Sequence, residues 1–189
     1  MIKIGVLGDI GSGKSYVANS FGYPVFNADK EVSKLYKTDK KIFFKLKKIL
    51  PNFFQKFPVE KKQVSNAILD NKQNLKKIVK IIHKEVRKKM LTFLKKNTHK
   101  KIVILDIPLL LENKLDKKKD ILIFIQSKRS KILSNLKKRK NFNRKMMNKF
   151  RNIQLPLDYK KKKAHFIIKN NFTNKSVKKE IKYILKKIL

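Results

Sequence analysis

Apolar positions along this chain fall into two rhythms. Residues 2 to 7 (Ile2-Lys3-Ile4-Gly5-Val6-Leu7), Pro24-Val25-Phe26, Ile102-Val103-Ile104-Leu105, Ile121-Leu122-Ile123-Phe124-Ile125 and Phe166-Ile167-Ile168 are short apolar runs rich in β-branched and aromatic residues, and they predict strands. Between them the spacing becomes helical. Lys14 to Phe21 reads as a short helix closed by Gly22, and Lys30 to about Leu50 as a helix stopped by Pro51, with a further break at Pro58. Residues 60 to 97 predict two or three amphipathic helices, with Leu75, Ile78, Val79 and Ile82 at helical spacing. Lys128 to Lys149 reads as a strongly basic helix. Ser176 to Leu189 reads as a closing helix whose Val177, Ile181, Ile184, Leu185 and Ile188 share one face.

Strands separated by helices imply an α/β architecture, a five-stranded parallel sheet with helices on both faces. The helical stretch between the second and third strands is too long for one simple crossover. It is expected to project beside the sheet and line part of a substrate pocket. The 189 residues suit one domain. Its core is expected over 1–29, 100–127 and 150–189, with a helical region over 30–99.

Composition changes this picture in one respect, the charge. There are 51 Lys and Arg against 13 Asp and Glu, a net charge of +38. Such an excess suits a nucleic-acid binder. Yet nearly all of it is Lys scattered over every segment, and the Phe residues occupy apolar positions instead of interleaving with Arg as stacking platforms. The charge is therefore read as a compositional bias toward Lys, Ile, Asn and Phe. It predicts weak, non-specific attraction of polyanions and no specific nucleic-acid partner. Lys runs such as Lys160 to Lys163 are expected to be solvated faces. The absence of cysteine excludes disulfides and thiolate metal sites. The N-terminus runs into a glycine-rich segment too early for a signal peptide, and no apolar run approaches membrane-spanning length, so a soluble cytoplasmic protein, favoured as a monomer, is expected.

Against this bias the rare residues stand out. All 5 glycines lie within the first 22 residues, and Arg129, Arg139, Arg144 and Arg151 crowd one later segment. Gly8-Asp9-Ile10-Gly11-Ser12-Gly13-Lys14-Ser15 fits the P-loop pattern of Gly, four residues, then Gly-Lys-Ser, between a predicted strand and a predicted helix. Glycines there let backbone N–H groups surround a phosphate, and the helix that follows offers its positive end. Lys14 is expected on the β- and γ-phosphates of ATP, and the Ser15 hydroxyl on Mg²⁺. A kinase also needs a carboxylate to place the metal or receive the acceptor's proton. Asp29, just past the second strand, and Asp106, at the end of the third, are the candidates, because ligands of open α/β sheets bind at the carboxyl ends of the strands. Asp9 lies within the loop, where its charge would repel phosphate, so its side chain is expected to face solvent.

These residues resemble the dephospho-CoA kinase family. The phosphate loop, then Asn27-Ala28-Asp29, His83, and Asp106-Ile107-Pro108-Leu109-Leu110-Leu111-Glu112 follow in the family's order. Leu136 and Arg139, then Arg151, Gln154, Pro156, Lys160 and Ala164, and finally Asn170 after the last strand, continue the likeness over nearly the whole chain. The chain departs from the family at Asn27 (usually Asp), Lys84 (usually Pro), Tyr16 (usually Thr), His165 (usually Asp) and Lys61 (usually Arg).

The resemblance implies a three-layer P-loop NTPase fold with a helical acceptor-binding insertion and a lid over 128–149. It implies transfer of the ATP γ-phosphate to the 3′-hydroxyl of dephospho-CoA, with Mg²⁺. ATP would be held by Gly11, Ser12, Gly13, Lys14, Ser15, Tyr16 and Asn170, and the acceptor by Asp29, His83, Asp106 and Leu109. The metal would be placed by Ser15 and Asp29, and catalysis would rest on Lys14, Asp29 and Arg139, with Arg144 as a second candidate lid arginine. Other readings left open by the residues are a nucleoside or nucleotide kinase on the same fold, a basic nucleic-acid-binding P-loop protein, and a weakly active member of the family. If Arg139 clamps phosphate with its planar fork, Arg139→Lys lowers turnover in a steady-state ADP-release assay while the unfolding midpoint moves little.

Overall fold

The computed structural model describes residues 1–138 and 142–189. Five strands, β1 (Ile2–Gly8), β2 (Val25–Asn27), β3 (Ile102–Asp106), β4 (Ile121–Gln126) and β5 (Phe166–Lys169), form one sheet in the order β2-β3-β1-β4-β5. All neighbours are parallel: Ile4 pairs with Ile104 and Ile121, Asn27 with Asp106, and Ile123 with Phe166. The sheet's near-continuous apolar runs have the physical cause anticipated for a parallel sheet, which is covered on both faces. β1 lies at the centre, so the loop that follows it emerges from the middle of the sheet's carboxyl edge.

The chain divides into two compact units. The first comprises Met1–Asn27, Lys96–Phe142 and Ile153–Leu189 and contains the whole sheet. Ile4, Val6, Ile104, Ile123, Ile125 and Ile168 on one sheet face pack with Val17 and Ala18 of helix α1 (Lys14–Ser20). Val177, Ile181 and Ile184 of the last helix (Asn174–Ile188) complete that cluster. On the opposite face Gly5 leaves space that Leu110 fills: a Cβ at Gly5 would stand 2.5 Å from Leu110 Cδ2. The second unit comprises Ala28–Lys95 and Asn143–Asn152. It contains helices α2 (Ala28–Thr38), α3 (Lys40–Ile49), α4 (Lys61–Asp70) and α5 (Lys72–Lys96, bar its last residue), with a later helix over Arg144–Arg151.

Side-chain caps set several boundaries that apolar periodicity alone did not. The stretch from 30 to 50 is two helices, because Asp39 accepts a hydrogen bond from the Ile42 N–H at 3.1 Å and starts α3 anew. Residues 60 to 97 resolve into two helices. A reciprocal Glu60–Gln63 capping box opens α4, and Asn71, which accepts from the Gln73 N–H at 2.8 Å, separates it from α5. The basic stretch from 128 to 149 is also two helices, α6 (Arg129–Lys137) in the first unit and α7 (Arg144–Arg151) in the second. Asn143 caps α7 by accepting from the Met146 N–H at 3.0 Å. Within the second unit Lys149 closes the far end of α4: its Nζ donates to the carbonyls of Ile68 at 2.5 Å and Leu69 at 2.9 Å, a cation at the negative end of a helix.

One expectation is overturned. Lys160 to Lys163 are not a uniformly solvated run. They belong to helix α8 (Leu157–Lys163), and Lys160 is 1 % exposed. Its Nζ lies 2.6 Å from Glu112 Oε1 and donates to Gln154 Oε1 at 3.4 Å. The same Glu112 oxygen accepts from the Leu155 N–H at 2.9 Å. The pair therefore ties the loop after β3 to the entry of α8. Removing one partner of such a pair strands the other charge. Lys160→Met is expected to cost about 3–5 kcal/mol in urea unfolding. The double variant Glu112→Leu/Lys160→Met, with no charge left to strand, should recover most of that loss.

Candidate functional site

The loop from Gly8 to Ser15 joins β1 to α1. Gly11 has φ 81° and Gly13, the N-cap of α1, has φ 88°. These left-handed turns, open to glycine at little cost, are the backbone geometry of an anion nest at a helix N-terminus, and the Ser12 N–H between them donates to the Asp9 carbonyl at 3.1 Å. Gly13 has a second constraint, since a Cβ there would collide with Asn170 Nδ2. Turning the amides one way turns carbonyls the other way, and the buried Ser12 carbonyl needs donors. It has two: Ser127 Oγ and Asn170 Nδ2, each at 2.9 Å. Ser127 follows β4 and Asn170 follows β5, so the sheet itself holds the loop open.

Lys14 folds back across the loop, its Nζ donating to the carbonyls of Asp9 at 2.8 Å and Gly8 at 3.2 Å. Asp9 does not face solvent as expected. It is 9 % exposed, and its Oδ1 accepts from the Ile10 N–H at 2.7 Å. One carboxylate oxygen is thus directed onto the loop's own backbone. Ser12 Oγ is buried with no hydrogen-bond partner among the described residues.

The neighbouring strand ends bring together two more of the anticipated residues, Ser15 and Asp106, through Asn27, which the sequence marks only as a departure from the family pattern. Ser15, on the first turn of α1, is exposed, and its Oγ lies 3.5 Å from Asn27 Nδ2. That same amide donates to Asp106 Oδ2. Asn27 and Asp106 are register partners at the carboxyl ends of β2 and β3, and Asp106 is 3 % exposed. A hydroxyl, an amide and a carboxylate thus form one line beside the phosphate nest. Among the described residues no group of three or more His, Cys, Asp or Glu side chains is placed to hold a metal unaided.

The other anticipated residues lie as follows. Tyr16 is 43 % exposed on α1. Leu109 is half-buried in the turn after β3, its carbonyl accepting from Asn113 Nδ2 at 2.7 Å. Asp29 is exposed in the first turn of α2, and His83 is half-buried on α5; both belong to the helical unit. On the same helix Glu85 sits 3.4 Å from Lys45 and 3.3 Å from Lys88. Desolvation opposes its charge, but the two ammonium groups outweigh it and hold the carboxyl below its usual range. Arg144 is exposed at the start of α7. Arg139 lies outside the described residues.

A family model described as dephospho-CoA kinase matches residues 2–176. The chain belongs to the dephospho-CoA kinase family. A dephospho-CoA kinase of Wolbachia sp. subsp. Brugia malayi is 31% identical over 187 residues, covering 96% of this chain and 95% of that one. In fold, a Thermus thermophilus protein superposes with a TM-score of 0.79 at 22% identity, covering 100% of this chain and 98% of its own. A dephospho-CoA kinase from Campylobacter jejuni gives 0.63 at 23% identity, covering 98% and 96%. The chain is thus an ATP-dependent phosphotransferase on a five-stranded P-loop kinase sheet.

Departures from the dephospho-CoA kinase pattern acquire physical meaning here. His165 stands where the family usually has Asp, and its Nδ1 accepts from the Leu122 N–H at 3.0 Å while its own N–H donates to the Leu122 carbonyl at 2.8 Å. Either side chain supplies the acceptor that starts the β4–β5 pairing. Reading the sequence missed Ser127 and the bracing role of Glu112. Ser127 has a visible signal, a hydroxyl just beyond an apolar strand, but nothing in sequence tells that it aims at Ser12, 115 positions away. Asn170 also accepts from the Phe172 N–H at 2.8 Å. Asn170→Ala therefore leaves two backbone groups short of a partner and should cost about 1–3 kcal/mol in denaturant unfolding. Asn170→Asp, which keeps an acceptor for Phe172 but loses the donor to Ser12, should recover only part.

Proposed function

We propose that this chain transfers the γ-phosphate of ATP to the 3′-hydroxyl of dephospho-CoA, giving CoA and ADP. The observation that carries this reading is the family match over residues 2–176, which includes a phosphate loop held open by Ser127 and Asn170. The amides of residues 13 to 15 at the start of α1 receive the triphosphate, while the Ser12 N–H donates to the Asp9 carbonyl at 3.1 Å. Lys14 exchanges the Gly8 and Asp9 carbonyls for phosphate oxygens, so its ammonium is already at the loop when nucleotide arrives. That exchange neutralises charge around a loose phosphoryl transition state.

Mg²⁺ suits the residues present. Ser15 Oγ is exposed next to the Asn27–Asp106 pair and offers a hard oxygen, and among the described residues no three carboxylates or imidazoles converge to satisfy a cation without phosphate. Mg²⁺ typically takes one or two protein oxygens, several waters and substrate phosphates. Bound there, it would neutralise charge on the β- and γ-phosphates. Ser15 and Asp29 are assigned to hold it, and Asp29 to orient or deprotonate the acceptor hydroxyl. His83, Asp106 and Leu109 are assigned to the acceptor, Tyr16 and Asn170 to the nucleotide side, and Arg139 to a lid that excludes water. Among the described residues no helix is long and apolar enough to cross a membrane. The reading is of a cytoplasmic enzyme.

Lys14→Ala should abolish ADP release with dephospho-CoA while the circular dichroism spectrum and unfolding midpoint are retained. An active Lys14→Ala protein, or a wild-type protein that phosphorylates nucleosides in preference to dephospho-CoA, would overturn the proposal.

A further inference from the structure

The phosphate chemistry leaves Asp9 unexplained, an acid in a loop built for an anion. Donors from three residues of that loop end on it. The Ile10 N–H donates to its Oδ1 at 2.7 Å. The Ser12 N–H donates to its carbonyl at 3.1 Å, closing a four-residue turn with Gly11 at φ 81°. The Lys14 ammonium donates to the same carbonyl at 2.8 Å. The residue is 9 % exposed, so its charge is sheltered within the loop instead of standing out in solvent. Holding the Ile10 N–H does not require that charge. An asparagine in the same place would offer an amide oxygen to the same donor. What aspartate adds is a full negative charge, and one hydrogen bond does not cancel it.

A phosphate entering at residues 13 to 15 therefore meets two attractions, Lys14 and the start of α1, and one repulsion, Asp9. The repulsion grows with the negative charge of the ligand, and it is screened less in a sheltered place than in bulk water. Attraction for anions is not scarce in this chain, whose net charge of +38 draws polyanions of every kind. Discrimination among them needs a repulsive element as well. We infer that Asp9 is a charge filter in the phosphate loop. It disfavours metal-free polyphosphates and so favours a nucleoside triphosphate that arrives with its divalent cation, which cancels two of its negative charges. The inference rests on residues 8 to 15 being the triphosphate site, as the proposed function has it.

Asp9→Asn removes the charge and keeps an oxygen for the Ile10 N–H. Calorimetry on the full chain compares ATP in excess EDTA with ATP in excess Mg²⁺, without acceptor. The dissociation constant of the variant should fall for both ligands, and roughly 5- to 30-fold further for metal-free ATP, the scale on which one fixed charge acts on two extra ligand charges across part of a loop. That difference should shrink as sodium chloride is raised from about 0.02 M to about 0.5 M, because added salt screens charge. Equal tightening of both forms would show a charge without selectivity. Unchanged binding would show that the carboxylate is not felt by the ligand, and weaker binding of either form would show that Asp9 holds the loop or the cation. Each of these results overturns the inference. If Asp9→Asn fails to fold, Asp9→Ser, whose hydroxyl can accept the same N–H, is held to the same outcomes. A wild-type protein that binds neither form of ATP sinks the triphosphate reading of the loop along with the filter. A wild-type protein that phosphorylates dephospho-CoA, beside an Asp9→Asn protein with unchanged affinities, sinks the filter alone.

Discussion

A loop that turns its amides toward an anion must turn carbonyls away from it, and a carbonyl turned into protein interior has to be met by a donor. At Ser12 that requirement organises the first unit. Two donors converge on one oxygen, Ser127 from the end of β4 and Asn170 from the end of β5. Both arrive only because β1, β4 and β5 lie side by side in parallel register. The apolar packing of Ile4, Val6, Ile123, Ile125 and Ile168 against α1 and the last helix therefore positions the site as well as stabilising the fold. It places three strand ends at the heights from which the loop can be held.

Electrostatics in this chain are local despite the overall charge. Most of its lysines are solvated, and ion pairs between exposed groups contribute little. The consequential pairs are few and sheltered. Lys160 with Glu112 anchors the entry of α8, Lys3 lies 3.0 Å from the buried Asp120 at the approach to β4, and Lys149 closes α4. Each acts on backbone geometry: a loop, a strand start, a helix end. Asp9 belongs with them, as its carboxylate turns onto the Ile10 N–H.

The Asn27–Asp106 contact shows how a substitution can keep a network while changing its charge. Where the family usually carries Asp, the Asn27 amide gives a donor to Asp106 and reaches the Ser15 hydroxyl. A carboxylate at the same place would face Asp106 as a like charge across paired strand ends. The side chains stay linked with one negative charge fewer.

Much was legible in the one-dimensional pattern. The five strands, their parallel arrangement and the phosphate loop between the first strand and the first helix follow from local periodicity and from a motif whose residues are contiguous, and the family from the resemblance of motifs spread along the chain. Local rules suffice there because strand formation, the left-handed turns at Gly11 and Gly13 and the α1 N-terminus are properties of adjacent residues. Helix breaks at Asp39 and Asn143 were missed because a cap is a side chain's choice between backbone partners, which periodicity does not register. Only tertiary structure could decide which lysine of the 160–163 run is buried, that Asp9 turns inward, that Ser127 and Asn170 meet on Ser12, and that Phe172 is held against Gly13. Lys160 with Glu112, Ser127 and Asn170 with Ser12, and Phe172 with Gly13 depend on segments far apart in sequence being brought within reach by the packing of the first unit, whereas Asp9 turns onto the N–H of its own neighbour, a choice of partner that the local pattern does not register.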